Sequence, residues 1–191
     1  MRIGVLAIQG DYDAHRRRLE QLGAQTLLVK KPEQLDAVDA LVIPGGESST
    51  FLKFLEQGGF LEKLRDFVRT KPAFGTCAGA ILLAREVENT PQESLGVLDI
   101  RIRRNAYGRQ LESSIREAPT KLGGAQLEMV FIRAPRIERV GPGVEVLASA
   151  GSDPVLVRQG KIMAATFHPE LSEDTRVHAA FLDLVRNGAK K

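Results

Sequence analysis

The chain has 191 residues, 43% of them hydrophobic, with 27 lysines and arginines against 24 aspartates and glutamates and a net charge of +3. That length fits a single domain spanning residues 1–191 with a real apolar core, and it excludes a disordered chain. The weak basic bias comes without a Lys/Arg run or a basic stripe with aromatics, so no nucleic-acid partner is expected. No run approaches the roughly 20 apolar residues of a membrane helix, so no membrane partner is expected either. The single cysteine forbids an internal disulfide and fits a reducing compartment. The apolar run at residues 3–8 is too short for a signal-peptide core, so a cytoplasmic protein is expected.

In chain order, RIGVLAI (2–8) reads as a buried strand, followed by a helix over 11–22 that stops at Gly23. QTLLVK (25–30) and ALVIP (40–44) are strands, the second running into Gly45-Gly46. Helices are predicted over 48–57 and 61–69, a strand at PAFGT (72–76), and a helix at AGAILLARE (78–86). The second half is richer in strands: 98–104, 125–133, 144–150, 154–160 and 161–167, with a hairpin turn around Gly160 and a last helix over 173–186. Strands alternating with helices imply βαβ units and a layered α/β fold. Ligands of such sheets bind at the C-terminal strand ends. The informative loops therefore follow Ile8, Pro44, Thr76 and Phe167.

Gly75-Thr76-Cys77-Ala78-Gly79 sits between a predicted strand and a predicted helix. Gly-x-Cys-x-Gly is the cysteine counterpart of a nucleophile elbow. The glycines let the backbone cross closely in a strained turn, and the helix that follows points its N-terminus at the sulfur, favouring thiolate. The bland alternative for a lone cysteine is a small core residue; the glycine frame at a strand–helix junction argues for the nucleophile.

Three histidines compete for the role of base. His15 shares a helical face with Leu19 and Leu22 and reads as a core or rim residue with some chance of touching a partner. His178 lies beside Phe181, Leu182 and Val185 and reads as core. His168 ends the strand KIMAATF, and Pro169 keeps it out of the helical conformation. In an extended segment His168 and Glu170 project to the same side. A carboxylate there would hold the imidazole's tautomer and stabilise its charged form. His-Pro-Glu alone is also what a plain polar turn looks like; the order Cys…His…Glu strengthens it.

Pro44-Gly45-Gly46-Glu47-Ser48 offers backbone N–H groups to a substrate oxygen, or is a plain turn with Ser48 or Ser49 capping a helix. Arg104 in RNAYGRQ and Arg133 in IRAP are either carboxylate clamps or solvated surface residues.

GVLAIQG, PGGESS, GTCAG, RNAYGRQ, FIRAP and FHPE occur in this order. Together they resemble the glutaminase subunit of the two-component pyridoxal 5′-phosphate synthase, within the triad (class I) glutamine amidotransferase superfamily. The resemblance runs from residue 3 to about 185; GTCAG and HPE mark the superfamily, while PGGES, RNAYGRQ and FIRAP mark this subunit. It implies a flavodoxin-like three-layer α/β sandwich, a mixed and mostly parallel sheet flanked by helices. It implies hydrolysis of L-glutamine to glutamate and ammonia through a glutamyl thioester, without a cofactor or metal. Carried over by residue, Cys77 is the nucleophile, His168 the general base and acid, and Glu170 its orienter. Gly46, Glu47, Ser48, Arg104, Ile132 and Arg133 would bind glutamine, and the N–H groups of Gly46 and Ala78 would form the oxyanion hole. The implied partner is a (β/α)8-barrel synthase subunit that receives the ammonia through a tunnel and raises the glutaminase activity on docking. Ser49 and Ala80 depart from the usual threonine and leucine without touching the chemistry.

Three alternatives stand beside this reading. Cysteine hydrolases on similar scaffolds place a histidine after the elbow cysteine, where this chain has Ala78. A glutaminase of another pathway, such as that of imidazole glycerol phosphate, is disfavoured by RNAYGRQ. A binding protein that has lost catalysis is disfavoured by intact Cys77, His168 and Glu170. The expected docking surface is Gln9-Gly10 with the first helix, including His15 and Arg16 to Arg18.

Overall fold

A computed structural model of the chain describes residues 1–46, 48–56, 59–88, 93–104 and 113–188, with the backbone alone described at 48–50. Its first half alternates as the apolar pattern predicts: β1 (Arg2–Leu6), α1 (Tyr12–Gln21), β2 (Gln25–Val29), β3 (Ala40–Ile43), α2 (Ser48–Glu56), α3 (Phe60–Thr70), β4 (Ala73–Thr76) and α4 (Ala78–Leu83). The second half holds β5 (Ala84–Glu88), β6 (Leu98–Arg103), β7 (Ser113–Ala118), β8 (Leu127–Ile132), β9 (Arg136–Val140), β10 (Glu145–Ala150), β11 (Asp153–Gln159), β12 (Ile162–Ala165) and α5 (Arg176–Gly188). Helix α1 starts where the Asp11 side chain accepts the Ala14 N–H at 3.2 Å. It stops at Gly23, whose φ of 78° lets the chain reverse.

The main sheet has seven strands in the order β10-β11-β12-β4-β3-β1-β2. The five from β12 to β2 run parallel, and β10, β11 and β12 are joined antiparallel. Gly160, at φ 55°, makes the turn between β11 and β12. Period-two alternation divides the core between the two faces. Leu41, Ile43, Ala73, Ile162 and Ala164 pack with residues of α2, α3 and α4 on one face. Ala40, Val42, Phe74, Met163 and Ala165 pack with Leu19 of α1 and with Val177, Phe181 and Leu182 of α5 on the other. The result is the expected three-layer α/β arrangement. Among the described residues no helix is long and apolar enough to cross a membrane.

Several boundaries differ from the pattern. The helix predicted over 78–86 ends at Leu83, and residues 84–88 turn into strand β5, which pairs with β6 in parallel. The cause is tertiary: the N–H groups of Leu95 and Val97 donate to the carbonyls of Leu82 (2.7 Å) and Leu83 (3.1 Å) and close the helix end. Strands β7 and β9 carry too many charges for an apolar pattern to find them. They exist because β7 pairs with β8, and β9 with β6, in two small sheets.

Helix α4 lies unusually close to β3. A Cβ on Gly79 would stand 2.0 Å from the backbone carbonyl oxygen of Ile43. Glycine-to-alanine inside a helix ordinarily stabilises by about 1 kcal/mol. Gly79→Ala should do the reverse, costing about 1–3 kcal/mol by overpacking. A urea midpoint equal to or above wild type would refute the close packing.

Candidate active site

The loops after β1, β3, β4 and β12 meet at one end of the sheet, and the close contacts among them are made through glycines. Cys77 joins β4 to α4 with φ 49° and ψ −105°, a positive φ that a residue with a side chain rarely adopts. Both glycines of the motif are sterically required. A Cβ at Gly75 would meet the Gly79 carbonyl at 2.5 Å, and one at Gly79 would strike β3. The Cys77 N–H donates to Ala165 O at 2.9 Å, tying the elbow to the strand that leads to His168. Cys77 is 9% exposed, so the sulfur sits at the floor of the convergence.

His168 leaves β12 with φ −106° and ψ 84°, and its N–H donates to Val130 O of β8 at 2.8 Å. The segment after it is not extended, contrary to the expectation from Pro169. Pro169–Leu171 forms one 3-10 turn, for which proline at the first position is preorganised. That turn brings Glu170 back, and His168 Nδ1–H donates to Glu170 Oε1 at 2.7 Å. The side chains are 13% and 1% exposed, so the pair operates in a low-dielectric setting.

The electrostatics of the pair oppose its burial. Burial disfavours a charged His168, but hydrogen bonds to Cys77 and Glu170 and their negative charge outweigh it, raising the imidazole from 6.5 to about 10. Burial likewise pushes Glu170 up, yet the imidazoles of His15 and His168 overcome it and hold the carboxyl below the usual range. The site thus favours a cationic His168 between a sulfur and a carboxylate.

The loop after β3 is shaped by the same crowding. A Cβ at Gly45 would lie 2.8 Å from His168 Cε1 and 3.1 Å from Cys77 Cβ. Gly10 crosses over the Gly45 carbonyl, and Gly46, at φ 144°, lies against the Gln9 side chain. Glu47 and residues 105–110 of RNAYGRQ lie outside the described residues, as does the Ser48 side chain. Ala78 opens α4 beside the sulfur and is buried.

Arg104 follows β6 of the three-stranded sheet, while Ile132 ends β8 of the two-stranded sheet and Arg133 comes directly after it. Arg103 pairs with Arg136 between β6 and β9, which sets Arg104 opposite the IRAP loop at the end of β8. Arg133 is the second residue with a side chain held at positive φ, 43°. The two such residues among those described are both sequence-predicted site residues.

His15 is 0% exposed, a core residue as its spacing with Leu19 and Leu22 predicts, and its side chain is not part of the exposed face of α1. It stands behind Glu170, with Nε2 at 3.3 Å from Oε2. Arg18 donates from Nε to the Glu170 carbonyl at 3.4 Å and pairs with Glu173, while Arg16 pairs with Asp13 and Glu20. Of the three arginines, Arg17 is the most exposed, its side chain at 66%. Thr76 and Gly45 stood in the sequence only as parts of the informative loops; the fold shows what they touch, His15 at Thr76 and His168 and Cys77 at Gly45. Among the described residues no group of His, Cys, Asp and Glu is arranged to hold a metal.

The model of the SNO glutamine amidotransferase family matches residues 5–187. The chain belongs to this family. A relative from Koribacter versatilis, named pyridoxal 5′-phosphate synthase subunit PdxT, is 67% identical over 188 residues, covering 98% of this chain and 97% of that protein. One of the same name from Thermosipho africanus is 50% identical, covering 97% and 100%. The crystal structure of a glutamine amidotransferase superposes with a TM-score of 0.90 at 47% identity, covering 96% of this chain and 98% of that one. The PurLQS structure from Thermotoga maritima, at 16% identity and a TM-score of 0.67 over 95% and 97% of the two chains, shares the fold alone. The flavodoxin-like architecture of the amidotransferases is thus the architecture of this member.

The raised His168 carries a pH signature. A histidine charged more readily when folded stabilises fully below its ordinary 6.5, and the contribution is lost as pH rises toward about 10. Against a His168→Gln variant, wild-type stability to urea should decline between those two values. Parallel pH curves for the two proteins would refute the ion cluster.

Proposed function

We propose that this chain hydrolyses L-glutamine to L-glutamate and ammonia as the glutaminase subunit of a pyridoxal 5′-phosphate synthase, in the cytoplasm, and passes the ammonia to a (β/α)8-barrel synthase subunit. The observation that carries it is Cys77 held at φ 49° between two obligatory glycines, beside a His168 that is hydrogen-bonded to Glu170 at 2.7 Å. The names of the relatives support the pathway.

In the proposed reaction the Cys77 thiolate attacks the side-chain amide carbon of glutamine. The N–H groups of Gly46 and Ala78 receive the oxyanion. His168 gives its proton to the departing nitrogen, the C–N bond breaks, and ammonia leaves a glutamyl thioester. His168 then takes a proton from water, whose oxygen attacks the thioester, and glutamate leaves as Cys77 is regenerated. Glu170 orients the imidazole and stabilises its charge. Gly46, Glu47, Ser48, Arg104, Ile132 and Arg133 bind the substrate, with an arginine suited to its α-carboxylate. The strained backbone at Arg133 supports a functional role there, since such strain persists where the surroundings enforce it.

The test is glutamate release from glutamine, with and without the barrel subunit. Cys77→Ala should abolish it in both cases. His168→Ala should lose about 10²–10⁴-fold, the usual range for general acid–base catalysis, and Glu170→Ala less. An active Cys77→Ala would remove the nucleophile assignment. Full activity without the barrel would remove the dependence on a partner.

A further inference from the structure

Behind the Cys77–His168–Glu170 row lies a second set of polar side chains that the proposed reaction does not use. His15 of α1 places Nε2 at 3.1 Å from Thr76 Oγ1 and 3.3 Å from Glu170 Oε2. Its Nδ1 lies 2.9 Å from Nε2 of His178 on α5. His15, Thr76 and His178 are each 0% exposed. Phe74 meets both imidazoles edge-on, with centroids at 6.4 and 6.1 Å. No solvent reaches these groups, so each must find its partners within the set.

Two independent constraints place the protons. Nδ1 of His178 has no hydrogen-bond partner among the described residues. A buried N–H without an acceptor is the rarer and costlier fault, so that nitrogen carries the lone pair. His178 therefore donates from Nε2–H to His15 Nδ1, and His15 carries its own proton on Nε2. The second constraint is Glu170: the opposite tautomer would set the Nε2 lone pair against a carboxylate oxygen. Both rings are neutral, since burial lowers His15 and, with the neighbouring His15, takes His178 down to about 3.

The single Nε2–H of His15 then serves both halves of the site. It donates to Thr76, the residue before the nucleophile, and its positive end flanks Glu170 Oε2, an atom with no hydrogen-bond partner among the described residues. With Oε2 faced in this way, Oε1 is left to accept from His168. Helix α1 also reaches the backbone of the same residue, through Arg18 and the Glu170 carbonyl.

We propose that His15 is a positioning residue of the reaction: its Nε2–H, fixed in tautomer by His178, sets the Glu170 carboxylate and the nucleophile's strand relative to each other. This rests on the Cys77, His168 and Glu170 roles proposed above. The removed interaction is one N–H facing a buried charged group at close range, about a 10- to 100-fold effect on rate.

The experiment compares His15→Leu and His15→Gln, each as the full chain with the barrel subunit, by glutamate release. Gln keeps an N–H near the Nε2 position; Leu fills the space without one. His15→Leu should lower kcat by about 10- to 100-fold with KM for glutamine within about twofold, and should shift the pH profile of Cys77 alkylation by iodoacetamide. His15→Gln should recover most of kcat. Leucine at wild-type kcat, or glutamine as impaired as leucine, overturns the proposal. Should the leucine variant fail to fold, ¹⁵N spectra of the wild-type histidines decide: protons on Nε2 of both His15 and His178 are expected, and a proton on Nδ1 of His15 overturns it. Cys77→Ala run alongside separates the two layers. If it is active the triad itself falls; if it is dead while His15→Leu is fully active, only the positioning role falls.

Discussion

Everything at the functional end of this molecule depends on helix α4 packing against the Ile43 carbonyl with no side chain between them. That contact sets how soon after β4 the helix can start. An early start forces the turn into a single residue, and the single residue is Cys77, at a φ that only a locked environment sustains. Gly75 and Gly45 extend the same demand to the preceding strand and to the neighbouring loop. Backbone has been brought where side chains normally stand, and the space gained is used to set sulfur and imidazole against each other.

The second constraint is electrical. Three ionisable side chains are gathered where water is scarce, and each would resist its charge alone. Together they charge one another: Glu170 and Cys77 sustain the cation on His168, and that cation, with the Nε2–H of neutral His15 alongside, sustains the anion on Glu170. Such a set is fragile by construction, because removing one member leaves another buried and unpaired. The proposed triad chemistry and folding stability are therefore coupled in the same atoms.

Much of this was legible from the residues. The alternating strands and helices of the first half follow from apolar spacing, and Gly-x-Cys-x-Gly announces a close backbone crossing wherever it stands. His168 stood out because Pro169 follows it and Glu170 is near. The errors have physical causes. The 3-10 turn at Pro169–Leu171 was missed because proline restricts the residue before it but also starts a helical turn well. Strand β5 was read as helix because Ala84, Arg85 and Glu86 are good helix formers, and pairing with β6 overrides them. His15 was placed on the core face correctly, but its spacing with Leu19 and Leu22 says nothing about Glu170, which lies more than 150 residues along the chain. Contacts of that range have no local signature.

The parallel order of β12, β4, β3, β1 and β2 also gives the molecule a far end. There the Arg2 N–H donates to Asp39, Lys71 donates to the Val38 carbonyl and Lys161 to the Thr70 carbonyl. These are lacings between strand beginnings, with no reacting group among them. Met1 sits at that end, separated from Cys77 by the length of the parallel strands. A fusion, label or surface attachment made there stands away from Cys77 and His168. The architecture thus leaves one pole of the sheet open to attachment while the other holds the buried pair of His168 and Glu170.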